Sequence, residues 1–224
     1  MTENPFDRGA AQATEYDAWY DSPLGQDVLA RELGCVRELL EWAPRPWLDL
    51  GTGSGRFGEG AGVEVGLDPA ADLLRIAAGR LPSVVLGVGE ALPFRDASVG
   101  AVLSVAVFEF LADPAGTTRE IRRVLRPGGR FVLGFFPQTG AWARAYREQG
   151  RDPASVFRSA RFFSLAGVDA LAREAGLSVG RVRCALFEAP GIPPSKATVA
   201  QWDPGAGFSA VELTRAGEAE GHRR

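Results

Sequence analysis

The chain has 224 residues, of which 46% are hydrophobic and 24% are charged, and its formal net charge at pH 7 is −3. A chain of this length can form one domain with a full-sized hydrophobic core. The weak negative charge provides no overall attraction for nucleic acid, and no uncharged apolar run is long enough for a transmembrane helix, so we expect neither nucleic acid nor a membrane as a partner.

The apolar residues of segment 24–42 recur at helical spacing, and Pro44 and Pro46 follow it, which predicts one amphipathic helix. Short apolar runs then predict buried strands at 47–50, 63–67, 84–88, 101–107, 130–136, 179–187 and 208–214. Helical patterns lie between them at 70–80, 116–125, 141–149 and 167–175. Strands that alternate with helices predict a doubly wound parallel α/β sheet. No helical pattern separates the last two strands, so we expect an antiparallel hairpin there.

The first strand runs into a glycine-rich turn, and residues 48–60 read LDLGTGSGRFGEG. From Gly53 the turn spells GxGxxG, the dinucleotide fingerprint, and from Gly51 it spells GxGxG with Asp49 two places upstream. A carboxylate beside a diphosphate is electrostatically unfavourable. Segment 57–62 is also too short and too glycine-rich for a normal crossover helix whose N-terminus would hold a pyrophosphate. The Gly51 frame, and a ligand that carries a positive charge, are therefore favoured.

The second strand ends at Asp68, which Pro69 follows. An acidic residue at this position can accept hydrogen bonds from both ribose hydroxyls of a nucleoside. It can also cap the next helix, with the proline in the first helical position, and the two roles can coexist.

These stretches resemble a known family when they are taken with GVGEALPFRDASVGAVLSVAVFEFLADP and REIRRVLRPGGRFVLGFF. Across residues 47–136 the chain resembles class I S-adenosylmethionine-dependent methyltransferases, in particular the UbiE-like branch called type 11. The likeness extends to about 14–178 for a subgroup with a shortened first crossover helix. It implies a seven-stranded Rossmann-like sheet of order 3-2-1-4-5-7-6 with the last strand antiparallel. It also implies S-adenosyl-L-methionine as the cofactor and a small molecule as the methyl acceptor.

The resemblance also implies which residues bind the cofactor. The glycine turn would pass beneath the methionine and ribose. Asp49 would help to hold the ammonium group, directly or through water, and Asp68 would take the ribose hydroxyls. Tyr16 would reach the methionine carboxylate, although an aromatic cluster that packs helices explains this residue nearly as well. Pro69 and the stretch 89–90 would border the adenine, and two residues after the fourth strand would line the sulfonium side. The complete set is Tyr16, Asp49, Gly51, Thr52, Gly53, Asp68, Pro69, Gly89, Glu90, Val105 and Ala106.

The chain also departs from the family pattern. The acidic residue that commonly precedes the adenine edge is Val88 here, the aspartate that usually opens the fourth strand is Gly100, and the frequent histidine after that strand is absent. Adenine recognition would then depend on a backbone carbonyl or on Glu90.

We identify no catalytic residue from the sequence, and the resemblance requires no metal. Glu109 lies near the carboxyl edge of the fourth strand, but an ordinary exposed residue is the favoured interpretation, and Tyr20 is a second candidate that could orient a substrate. His222, the sole histidine, lies in the tail, where nothing orients it. Cys184 is expected in the core.

The single domain, 1–224, is predicted to have three parts: an N-terminal helix and lid at 1–43, a cofactor-binding core at 47–136, and an acceptor-side insert with the C-terminal strands at 137–224. Arginines between 119 and 130 are expected to form a solvated helix face rather than a phosphate site. The N-terminal residues show no signal-peptide pattern, and the two cysteines lack metal-ligand spacing, so we expect a cytoplasmic protein with reduced thiols.

The predicted function is therefore methyl transfer from S-adenosylmethionine to an unidentified small molecule. Two alternatives remain open at this point: a non-catalytic domain that binds S-adenosylmethionine, and, with less support, an NAD-dependent oxidoreductase that uses the Gly53 frame. Oligomeric state cannot be read from the sequence.

Overall fold

The computed structural model describes residues 4–194 and 198–215. The helices are α1 (Ala10–Trp19), α2 (Pro23–Leu40), α3 (Arg56–Ala61), α4 (Ala71–Ala77), α5 (Pro114–Val124), α6 (Ala141–Gln149) and α7 (Leu165–Glu174). The strands are β1 (Trp47–Leu50), β2 (Val65–Asp68), β3 (Ser83–Leu86), β4 (Val99–Val105), β5 (Leu125–Phe135), β6 (Leu177–Ala185) and β7 (Phe208–Arg215). Short 3-10 turns lie at Phe108–Phe110 and Val156–Ser159.

The seven strands form one sheet in the order β3-β2-β1-β4-β5-β7-β6. The first five strands pair in parallel, and β7 runs antiparallel to both β5 and β6. This arrangement confirms the predicted seven-stranded doubly wound sheet and its antiparallel last strand. It also places the carboxyl ends of β1, β2 and β4 side by side.

Two hydrophobic clusters cover the two faces of the sheet, because successive side chains of a strand point to opposite faces. In β4, Leu103 belongs to the cluster that packs under α2, whereas Val102 belongs to the cluster that packs under α5 and α7. The central strands are therefore mostly apolar, as expected when both faces are covered. Among the described residues, no helix is long and apolar enough to span a membrane.

Local sequence signals explain where the helices that border the sheet begin. Ser22 accepts a hydrogen bond from the backbone N–H of Gly25 at 3.0 Å, and Asp113 accepts one from Gly116 at 2.8 Å. In both helices a proline follows the capping residue. This pairing of a polar cap with a proline in the first turn is a strong helix start.

Three elements differ from the sequence prediction. Strand β5 begins at Leu125 rather than at residue 130, because a register shift between Val99 and Ala101 accommodates the Pro-Gly-Gly stretch within the strand. Segment 57–62 does form a helix, although α3 has only six residues. Helix α1 was not predicted, since only Ala13 in it is buried and its sequence has no apolar stripe.

Candidate functional site

A cavity of about 850 Å³ lies at the carboxyl edge of the sheet. Its floor is formed by residues at the ends of β1, β2 and β4, including Leu50, Leu67 and Val105. The N-terminal segment and the insert after β5 complete its walls. The volume is within the range of about 300–1,000 Å³ that is usual for small-molecule sites.

The glycine turn after β1 is held against β2 by backbone hydrogen bonds. The N–H groups of Gly51 and Thr52 both donate to the carbonyl of Leu67, at 2.7 and 3.0 Å. Gly51 has a φ of +73°, and a Cβ atom on it would lie 2.3 Å from the side chain of Val107. Only glycine fits here, because the backbone angle and the close contact both exclude a side chain.

Asp68 lies at the end of β2 and faces this turn. Its carboxylate accepts hydrogen bonds from the backbone N–H of Gly53 at 2.9 Å and of Ala70 at 2.7 Å. Burial raises the pKa of the carboxyl, and the two backbone donors oppose that shift. A carboxylate has about four lone-pair directions, so two remain for a ligand in the cavity. The helix-capping and ligand-facing roles thus coexist in one side chain.

The structure brings most of the predicted cofactor residues together around the cavity. Nine of them line it: Tyr16, Gly51, Gly53, Asp68, Pro69, Gly89, Glu90, Val105 and Ala106. Val88 also lines it and is 46% exposed, so an apolar group occupies the place where an acidic residue is common.

Asp49 and Thr52 are not among the residues that line the cavity. Asp49 is 1% exposed and accepts a hydrogen bond from the Thr52 hydroxyl at 2.7 Å. Burial raises the pKa of its carboxyl to about 7. The carboxylate lies beneath the turn, close to Gly58, and the contact with the ammonium group, direct or through water, stays a prediction.

Helix α1 is fastened to the glycine turn by ion pairs that sequence reasoning missed. The carboxylate of Asp17 accepts hydrogen bonds from Arg56 at 2.8 and 3.0 Å and from Arg80 at 2.8 Å. Arg80 also donates to the carbonyl of Ser54 at 2.7 Å. The two guanidinium groups hold the pKa of the Asp17 carboxyl well below its usual value. These contacts position the half-exposed ring of Tyr16 over the cavity.

The insert after β5 closes the cavity from the other side. Arg161, which lines the cavity, donates its backbone N–H to the carbonyl of Glu109 at 2.8 Å, and its guanidinium donates to the carbonyl of Leu111. The ring of Phe6 meets that of Phe110 at 4.9 Å, edge to face. Phe6, at this wall, belongs to the N-terminal part that the sequence analysis predicts as helix and lid, 1–43.

Glu109 is not the exposed residue that the sequence favoured, because it is completely buried. Its Oε1 accepts a hydrogen bond from the backbone N–H of Phe136 at 2.9 Å, and its Oε2 has no partner among the described residues. Burial raises the pKa of its carboxyl to about 7. The second candidate, Tyr20, lies with its hydroxyl 3.4 Å from that of Tyr16.

Glu32, on α2, is a buried carboxylate that the sequence analysis did not single out. It is 4% exposed, and the charge of Glu109 adds to its burial in raising the pKa to about 8. The sequence does contain a signal for this burial, because Val28, Glu32 and Val36 lie on one face of the helix at four-residue spacing. A carboxylate inside an apolar helical stripe is unusual, because acidic side chains are seldom fully buried.

The remaining predictions about charged residues and cysteines have simple outcomes. Arg119 pairs with Glu174, and Arg123 pairs with Glu120, in keeping with a solvated helix face. The prediction was wrong for Arg126 and Arg130, because both lie in β5, where Arg130 is buried and pairs with Glu212. Cys184 is fully buried, as expected for a core residue. His222 lies outside the described residues.

Comparison with other sequences finds a matching family model and several similar proteins. A family model described as a methyltransferase domain matches residues 48–133. An uncharacterized protein of Mycobacterium tuberculosis is 40% identical over 201 residues, which are 89% of this chain and 70% of that protein. Another protein of the same organism, described as an uncharacterized methyltransferase, is 40% identical over 106 residues, or 43% of each chain.

Solved structures agree with the sequence comparisons. A Thermotoga maritima protein, described as a SAM-dependent methyltransferase and possible histamine N-methyltransferase, superposes with a TM-score of 0.84 at 27% identity, over 94% of this chain and 98% of its own. The magnesium protoporphyrin IX methyltransferase of Synechocystis, solved with bound SAH, has a TM-score of 0.63 over 94% of this chain and 96% of its own. At 14% identity, this second likeness concerns the fold alone.

Proposed function

The chain belongs to the class I S-adenosylmethionine-dependent methyltransferases, and from this premise we propose that it transfers a methyl group to a small molecule bound beside the cavity at the carboxyl edge of β1, β2 and β4. One observation carries the proposal. Asp68 and the glycine turn face each other across a hydrogen bond of 2.9 Å, at the edge where open α/β sheets bind their ligands.

The residues present fit the cofactor. Gly53 and Tyr16 both line the cavity, and a Cβ atom on Gly53 would lie 3.9 Å from the Tyr16 ring. A side chain there would occupy space that the turn leaves open. The unused lone pairs of Asp68 suit two adjacent hydroxyl groups.

We assign the remaining roles by position. Asp68 accepts hydrogen bonds from the ribose hydroxyls, and Val88, Gly89 and Glu90 border the adenine. Val105 and Ala106 line the sulfonium side, and Tyr16 covers the methionine portion. Asp49 supports the turn through Thr52, with its carboxylate buried beneath the turn.

The bound cofactor supplies an electrophilic methyl group, so the protein's task is orientation and exclusion of water. Helix α1, fastened through Asp17 to Arg56 and Arg80, covers one side of the cavity. The insert closes the opposite side through Arg161. These two elements exclude solvent from the reacting atoms once the ligands are bound.

The dinucleotide alternative is not favoured by the geometry. A pyrophosphate would need the N-terminus of a crossover helix, and α3 has six residues with the left-handed Gly55 at its start. We also propose that the whole chain acts as one domain with the three parts predicted from the sequence. Its cytoplasmic location stays a prediction.

Isothermal titration calorimetry with S-adenosylhomocysteine tests the proposal. We expect wild-type protein to bind it at micromolar concentration and Asp68→Ala to lose at least tenfold in affinity, because the ribose hydroxyls lose their acceptor. Asp72→Ala, in the first turn of α4, is the matched control and should bind like the wild type. No binding to the wild type at millimolar ligand, or unchanged affinity in Asp68→Ala, would contradict the proposal.

A further inference from the structure

One part of the cavity has no role in the proposed cofactor contacts. Phe6, Phe110, Leu111 and Arg161 all line the cavity, and none of them is assigned to the cofactor. They are also contiguous, because the rings of Phe6 and Phe110 meet edge to face at 4.9 Å and the Arg161 guanidinium donates to the carbonyl of Leu111. These four residues form a second subsite, which has two aromatic rings and one cation.

The second subsite adjoins the place from which the methyl group would leave. Ala106, on the proposed sulfonium side, directly follows β4, and the 3-10 turn Phe108–Phe110 begins two residues later. The ring of Phe6 meets that of Tyr16 edge to face at 6.1 Å. The subsite thus extends from the ring that covers the methionine portion to the insert after β5, where a methyl acceptor can approach the cofactor.

Arg161 brings a positive charge to the cavity that no described acid balances. It is the only basic residue that lines the cavity in the described ranges, it is exposed, and it forms no ion pair with another described residue. Its side-chain contacts with described residues use one nitrogen, Nη2, which donates to the carbonyls of Leu111 and Ala112. A guanidinium has five N–H donors, so the donors of Nε and Nη1 remain for a ligand.

Three acidic residues also line the cavity, but each has another role. Asp68 accepts hydrogen bonds from the glycine turn and faces the proposed ribose. Asp113 caps α5 and lies 3.8 Å from Arg119, and Glu90 is assigned to the adenine edge. Because these acids would repel a doubly charged phosphate, the singly charged carboxylate is the better anionic partner for Arg161.

We infer that the methyl acceptor is an apolar molecule with a carboxylate, which Arg161 binds while the rings of Phe6 and Phe110 pack on the apolar part. This inference rests on the proposed methyltransferase function. A carboxylate accepts strong, charge-assisted hydrogen bonds from a guanidinium, whereas an uncharged acceptor of the same shape would gain only the contacts with the rings. Arg161 is thereby the residue that selects an acid among apolar acceptors.

The test compares three probes with similar frames by calorimetry on protein saturated with S-adenosylhomocysteine, which keeps the probes out of the cofactor position. The probes are phenylacetate, the uncharged 2-phenylethanol and the cationic 2-phenylethylamine. We expect phenylacetate to bind about tenfold more tightly than 2-phenylethanol, and 2-phenylethylamine to bind least tightly. Phenylacetate that binds no more tightly than the alcohol, or that does not bind at millimolar concentration, would overturn the inference.

Variants locate the charge. Arg161→Gln should lose about tenfold in affinity for phenylacetate and keep its affinity for 2-phenylethanol, which reports any displacement of the wall at Leu111. Arg158→Gln is the matched control, because Arg158 is an exposed arginine of the same insert that does not line the cavity, and it should bind both probes like the wild type. An unchanged preference for phenylacetate in Arg161→Gln, or equal losses for both probes, would overturn the assignment.

The carboxylate of the cofactor is the competing partner for Arg161. Arg161→Gln should therefore also be titrated with S-adenosylhomocysteine, and we expect it to bind with wild-type affinity. A tenfold loss, roughly the value of a charged hydrogen bond, would assign Arg161 to the cofactor and overturn the inference.

The two proposals fail in different ways. Absence of S-adenosylhomocysteine binding to the wild type would count against the methyltransferase function itself. Normal S-adenosylhomocysteine binding without any preference for phenylacetate would leave that function intact and overturn only the carboxylate-bearing acceptor.

Discussion

Glu32→Gln should make the protein more stable in alkaline solution while leaving its stability unchanged in acid. In the folded protein, burial and the charge of Glu109 raise the pKa of the Glu32 carboxyl from 4.5 to about 8. A rise of about 3.5 units corresponds to roughly 5 kcal/mol of free energy of unfolding, since each unit is worth about 1.4 kcal/mol. Because the folded-state pKa is the higher one, this stability is fully present below pH 4.5 and is lost as the pH rises through 8.

The variant lacks the titrating group, so the free energy of unfolding of the two proteins should diverge with pH. We expect similar values at pH 5, where Glu32 in the folded protein is protonated and uncharged, and a variant that is roughly 5 kcal/mol more stable at pH 9. Urea unfolding followed by circular dichroism at both pH values measures the difference. Other titrating groups, including Cys35, Tyr16, Tyr20 and Tyr146 near Glu32, are shared by both proteins.

Two further variants separate the effect of the Glu109 charge on Glu32 from the effect of any other charge change on α2. Glu109→Gln removes the neighbouring charge and should reduce the pH dependence that Glu32 causes, because the two carboxylates titrate as a coupled pair. Asp27→Asn changes an exposed charge on the same helix and should follow the wild type. A stability difference between wild type and Glu32→Gln that stays constant from pH 5 to pH 9 would refute the claim that Glu32 is buried without a partner.

Two other variants test the glycine turn and the lid. Gly55→Ala should cost about 2 kcal/mol of unfolding free energy, because Gly55 has a φ of +87° and a Cβ atom would lie 3.1 Å from the backbone of Ala77. Gly176 has a similar φ of +74°, but a Cβ atom on it would have no neighbour within 4 Å, so Gly176→Ala should cost only about 1 kcal/mol. Equal costs for the two variants would refute the steric part of the argument. Asp17→Asn should increase amide hydrogen exchange in α1 and weaken S-adenosylhomocysteine binding roughly fivefold, since α1 would need to be ordered on binding. Unchanged hydrogen exchange would show that the ion pairs of Asp17 with Arg56 and Arg80 do not hold α1 in place.

The order of the sheet was predictable because the signals that specify it are local. Apolar runs mark the strands, Asp49 and Asp68 lie at or near the ends of β1 and β2, and the glycine turn directly follows β1. The resemblance across 47–136 supplied the strand order. The bulge within β5 was not predictable in the same way, since Pro127 and the two glycines after it normally interrupt a strand.

The site was predictable only where a motif carried it. Burial of Glu109 depends on its hydrogen bond to Phe136, 27 residues away, and the lid depends on Arg56 and Arg80, which are 39 and 63 residues from Asp17. Such contacts arise from tertiary packing and leave no periodic trace in the sequence. Glu32 is the exception, because its place in an apolar helical stripe is visible before the fold is known.

The most direct test of the cofactor site is a crystal structure of the protein with S-adenosylhomocysteine. It should show both ribose hydroxyls on the carboxylate of Asp68, the glycine turn beneath the ligand, and the sulfur atom beside Ala106. A ligand bound elsewhere, or a ribose that does not contact Asp68, would contradict the account.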